Sequence, residues 1–96
     1  MNPWMLSNSR IIDQIFLDEF ENLTQIKLPD QHDPSFLNLL FFFLSSKKWD
    51  WFLSKQKENF LMTITVDDQE SCVIHTEKNA AIFLCILDAL CCENYQ

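Results

Sequence analysis

The sequence predicts an α+β fold, a three-stranded antiparallel meander covered by helices in the order α-α-β-β-β-α. Three observations predict it. Up to Leu23 the apolar residues recur at the three-four spacing of a helix, and a second helix, apolar nearly all round, starts at Asp33-Pro34. From Trp49 the period drops to two, and after Thr76 an apolar run of helical length returns. The strand-like segments also lie too close together for parallel pairing, which needs a crossover of about a dozen residues or more.

Each element has its own signal. Ser7 or Ser9 can cap a first helix running to about Leu23, with Ile12, Ile15, Phe16, Phe20 and Leu23 as its buried stripe. Thr24 to Asp33 holds Pro29 and reads as a connector, in which Ile26 and Leu28 suggest a short extended stretch. Asp33 is a good N-cap and Pro34 takes the first helical position, where a missing N–H is harmless. The second helix runs to about Ser46 and is apolar nearly all round.

Trp49, Trp51 and Leu53 then alternate with Asp50, Phe52 and Ser54, and both tryptophans are expected in the core. Lys55 to Asn59 reads as a polar turn, with Asn59 suited to positive φ. Phe60, Met62, Ile64 and Val66 alternate with Leu61, Thr63 and Thr65, the strongest strand pattern present. Asp67 to Glu70 makes the next turn, Ser71 to His75 the third strand, and Thr76 is expected to cap a final helix from Glu77 to about Cys92. The whole reads as one small domain, 1–96, with residues 1–8 expected to form a flexible start. Two helices are apolar on more than one side, so they must bury more than a narrow stripe. Packing on each other and the sheet satisfies that, and so does a homodimer.

Composition narrows the function. The 96 residues include no glycine, the residue on which phosphate-cradling loops, dinucleotide fingerprints and nucleophile elbows depend. A binding protein is therefore expected, not an enzyme. Fourteen acidic residues against seven basic ones give a net charge of −7, which disfavours direct binding to a nucleic-acid backbone. The start has no basic stretch followed by a long apolar one, so no secretion signal is read there. The apolar runs Phe36–Leu44 and Ala80–Cys92 are shorter than the roughly 20 residues that cross a bilayer. No membrane association is expected, and a cytoplasmic location is.

Candidate chemistry is sparse. Cys72 and His75 have metal-like spacing, but strand alternation sends them to opposite faces. Cys91 and Cys92 are adjacent, Cys85 lies within an apolar helix, and reduced thiols are expected throughout. His75 is expected as a partly exposed strand-end residue, and His32 precedes a cap. Asp67 and Asp68 are ordinary turn residues, without the further oxygen ligands and bend glycine of a calcium loop. No cofactor, metal or catalytic residue is assigned. The acidic residues are the better lead. Asp67, Asp68 and Glu70 leave one turn, Glu58 leaves the opposite one, and the first helix adds Asp13, Asp18, Glu19 and Glu21. Carboxylates one helical turn apart stand about 5.4 Å from each other along the axis, near the spacing of phosphates on a strand. Such a face suits the basic channel of a nucleic-acid-binding protein. Trp4, beside Met5 and Leu6, is a further candidate contact.

The layout from Asp33 onward resembles the phage ABA-sandwich domain, a family of small phage-derived proteins. The resemblance rests on Pro34–Lys48, on Trp49-Asp50-Trp51-Phe52-Leu53, on Phe60–Val66 and on the helix after His75-Thr76-Glu77-Lys78-Asn79-Ala80-Ala81. Arg10-Ile11-Ile12-Asp13 is similar to the family's first helix. The resemblance implies origin in a phage or mobile element, where small acidic proteins inhibit host machinery. The expectation is therefore an anti-CRISPR-like inhibitor, binding a host protein or ribonucleoprotein effector complex in the host cytoplasm. The alternative is a homo-oligomeric accessory domain whose apolar helices form the interface.

Overall fold

The computed structural model describes residues 14–94. Ser7, Ser9, Arg10 and Ile12, and with them the first helix's expected cap and the expected flexible start, lie outside the described residues. The order is α1 (Gln14–Thr24), α2 (Pro34–Lys47), β1 (Asp50–Gln56), β2 (Asn59–Val66), β3 (Gln69–His75) and α3 (Lys78–Asn94). The strands form one antiparallel sheet in the order β1-β2-β3. The α-α-β-β-β-α meander is the fold the residue pattern predicts.

Local chemistry explains the boundaries. Thr24 Oγ donates to Phe20 O (2.8 Å) and accepts from Ile26 N (3.1 Å), closing α1 where Gln25 turns to φ 63°. Asp33 caps α2 as expected, Oδ1 accepting from Ser35 N at 2.9 Å, with Pro34 at the first position. These bonds favour the ionised carboxylate and hold Asp33 below its ordinary pKa. Lys48 ends α2 in the left-handed region at φ 59°, its N–H donating to Leu44 O at 3.2 Å. That is a position where glycine is usual.

Both hairpins are tighter than expected. Gln56 pairs with Asn59 and Val66 with Gln69, so each loop has two residues. In the first, Lys57 rather than Asn59 takes positive φ (57°); the register holds Asn59 in β2. In the second, Asp67 and Asp68 both do, at 49° and 68°. Such pairs suit the twist of a two-residue hairpin, and aspartate tolerates them better than most residues. Glu70 consequently belongs to β3 and not to the turn. Ile26 and Leu28 do not form a strand.

The core lies on one face of the sheet. Met62, Ile64, Val66 and Val73 meet α3, in which every residue from Ala80 to Leu90 is buried. Helix α3 is thus the central layer, with the sheet on one side and α1 and α2 on the other. Rings join the helices: Phe20 lies 5.6 Å from both Phe43 and Phe83, and Phe36 lies 6.0 Å from Phe83. Lys47 Nζ donates to Glu93 Oε1 at 2.8 Å, linking the ends of α2 and α3. Among the described residues no helix is long and apolar enough to cross a membrane.

Four placements correct the sequence reading. Ile15, expected in the buried stripe, is 75% exposed. Phe16, Phe20 and Leu23 already carry the face that meets the core. Trp51 is not core but 44% exposed: it sits on an edge strand, with Phe41 of α2 beside it (ring centroids 5.5 Å apart). His75 is 2% exposed instead of partly exposed. Its Nδ1 accepts from Glu77 N at 2.9 Å, and so does at the start of α3 what Thr76 was expected to do.

Cys85 joins helix to sheet. Its thiol points at Met62 O (3.4 Å) and Ser71 O (3.2 Å), one contact to each of two strands. Burial first, and the Asp88 charge second, push this thiol well above its ordinary pKa. Burial and then Glu19 raise Cys91 too. Thiolate is the reactive form, so a disulfide-exchange reagent is expected to modify the half-buried Cys72, Cys91 and Cys92 in the native protein. Cys85 should react only at the rate of unfolding. Mass spectrometry of the labelled cysteines checks this, and early labelling of Cys85 would contradict it.

Candidate interaction surface

Strand alternation and register build the site. Helix α3 covers the face that carries Met62 and Val73, and no described helix packs on the other. That face, open at its Asp50 and Glu70 end and closed in at the other, where Ser54 Oγ is buried, is a small grid. Asp50, Thr65 and Glu70 form one row, Phe52, Thr63 and Cys72 the next, and Ser54, Leu61 and Ile74 the third. Neighbouring strands stand about 4.8 Å apart, so two carboxylates flank Thr65 across a span of three strands. Phe52, 61% exposed, is the large ring of the face, while Leu61, Cys72 and Ile74 are half-buried. A shallow groove of about 380 Å³ is lined by Asp50, Phe52, Leu61, Thr63, Thr65 and Glu70, with Trp51 at its margin.

The β2–β3 turn adjoins the acidic row, since Val66 and Gln69 are the next pair after Thr65 and Glu70. Asp67 and Asp68 are exposed there, set side by side by their two positive φ angles. The structure therefore brings together Asp67, Asp68 and Glu70, and adds Asp50. Glu58 is not part of this group, because its turn closes the opposite end of β2. Asp18 and Glu21 are elsewhere again. They face a groove of about 330 Å³ between α1 and the connector, beside Lys27, Leu28 and Asp30. Asp18 Oδ1 accepts from Gln14 Nε2 at 2.9 Å. The expected continuous acidic surface is thus divided among three places. Asp13 and Trp4 lie outside the described residues.

Asp50 and Phe52 were absent from the sequence-predicted site. Their signal was the alternation from Trp49 to Ser54, which sends both to the face opposite the tryptophans. Cys72 and His75 fall on opposite faces as that same alternation requires, the first half-buried on the open side and the second in the core. No group of three or more potential metal ligands exists among the described residues. Chemically, the open face offers carboxylates at one end, an aromatic ring beside them and threonine hydroxyls between, an arrangement suited to binding. Comparison with protein-family models, with curated proteins and with solved structures finds no match.

Proposed function

We propose that this chain is a non-enzymatic inhibitor of a host defence or nucleic-acid-processing complex, anti-CRISPR-like and of phage or mobile-element origin. It acts in the host cytoplasm by laying the open face of its sheet on a basic or effector site. The observation that carries this reading is the contiguity of Asp67, Asp68, Glu70 and Asp50 with the exposed Phe52. Carboxylates at the rim steer the encounter and select a basic partner, while a ring at the centre supplies anchoring area. The partner is a protein surface, since a phosphate backbone would meet the same carboxylates with repulsion.

The test is capture from host extract followed by reversal. The Asp67→Lys, Asp68→Lys, Glu70→Lys triple variant should bind the captured complex about 100-fold more weakly or worse, because disrupting even one buried charge pair costs roughly 2–5 kcal/mol. Binding should also weaken with salt. Unchanged affinity in a folded triple variant would refute the acidic-surface reading. One observation favours the homo-oligomeric alternative: Phe42 on α2 is 69% exposed, close in sequence to the Phe41 that covers Trp51. A light-scattering mass of twice the monomer, lost on Phe42→Ser, would select it.

A further inference from the structure

A second surface lies at the rim of the sheet. The order β1-β2-β3 makes β1 an edge strand, paired with β2 alone from Asp50↔Thr65 to Gln56↔Asn59. Among the described residues, no main-chain hydrogen bond joins residues 50–56 to anything else. The outward N–H and C=O groups of such a strand are a template for another main chain. Three common ways of blunting an edge are missing here, while a fourth, a lysine on the strand, is present as Lys55. The register is unbroken by a bulge, β1 contains no proline, and it is seven residues long.

The charge at this rim is opposite to that of the molecule. Lys47, Lys48, Lys55 and Lys57 are four of the seven basic residues in a chain of net charge −7, against two carboxylates, Asp50 and the Glu58 that shares the turn with Lys57. Lys47 is engaged by Glu93 and stands over the Trp49 ring at 5.1 Å. The other three are exposed at the two ends of the strand, Lys48 and Lys57 on left-handed backbone. Between them Trp51 and Phe52 expose a ring on each face of the strand.

We infer that the free edge of β1 takes up an extended acidic peptide as a fourth strand. Main-chain pairing supplies affinity in this mode, and side chains on either face supply selection. Here the lysines select carboxylates, and the two rings receive apolar residues alternating with them. A second copy of this chain fits the edge poorly. Its β1 brings a single carboxylate, Asp50, to meet these lysines, and adds a lysine of its own, Lys55. Nucleic acid is disfavoured by Asp50 and by the overall negative field.

A capped, fluorescein-labelled peptide of alternating glutamate and valine, long enough to span β1, is the probe. Anisotropy should show saturable binding by the intact protein. Binding should fall roughly tenfold or more when the peptide amides facing β1 are N-methylated, and similarly in a Lys55→Glu, Lys57→Glu variant whose unfolding midpoint is unchanged. Asp67→Lys, Asp68→Lys, Glu70→Lys should bind the probe no less tightly, which separates this surface from the acidic one. Five results would overturn the inference: no binding, equal binding of the N-methylated peptide, equal binding of a lysine-valine peptide, tighter capture of oligothymidylate, or a dimer in dilute solution that the probe cannot dissociate.

Discussion

Truncating Phe83 to alanine is expected to lower the free energy of unfolding by about 3–5 kcal/mol, the usual range for emptying a buried phenylalanine site. Phe83 is fully buried on the central helix, and its ring meets Phe20 of α1 and Phe36 of α2. One substitution therefore removes two aromatic contacts, each worth about 0.5–1.5 kcal/mol beyond the area it buries. It also opens a cavity where three helices meet. Set against a total stability of roughly 5–15 kcal/mol for a domain, the loss leaves little. Urea unfolding followed by tryptophan fluorescence measures it. Phe83→Leu, which keeps most of the volume, should cost less than about 1.5 kcal/mol. Equal losses in the two variants would show that the rings contribute no more than bulk.

Asp88→Leu should act in the opposite direction, raising stability by about 1–3 kcal/mol. Asp88 is 7% exposed on α3, amid residues buried from Ala80 to Leu90, and its Oδ2 meets no hydrogen-bond partner among the described residues. Folding takes that oxygen out of water without replacing what water supplied, and a leucine has nothing to lose there. The same urea titration reads the gain as a higher midpoint at unchanged slope. A lower midpoint would mean that the carboxylate does contribute to the fold. A stabilised variant would make Asp88 a residue retained at a cost to the native state. It lies one turn past Cys85, which contacts Ser71 O on β3.

Much of the fold was legible in the residues because its signals are local. Asp33-Pro34 starts a helix by its own chemistry, and alternation from Phe60 to Val66 needs a sheet whose two faces differ. What failed depended on partners distant in sequence. Asn59 is a better left-handed residue than Lys57, yet register put it in β2 and left the strained position to the lysine. Ile15 and Trp51 are as apolar as their buried neighbours, and only the reach of α3 and α2 decides that they stay in water. The candidate site was half legible for the same reason. Asp67, Asp68 and Glu70 are adjacent in sequence, so their grouping could be read. Asp50 and Phe52 join them through cross-strand pairing, and Glu58 leaves them because β2 spans the distance between the two turns.

The position of α3 in chain order has a consequence for biosynthesis. The helix on which the other layers rest leaves the ribosome after all five other described elements. Until it emerges, the sheet and the first two helices share little beyond the Phe41–Trp51 and Phe43–Trp49 ring contacts, so the nascent chain waits with its rings and strand edges open to chaperones and proteases. Closure is then a single late event, and a message cut short before Lys78 yields a polypeptide with nothing to fold around.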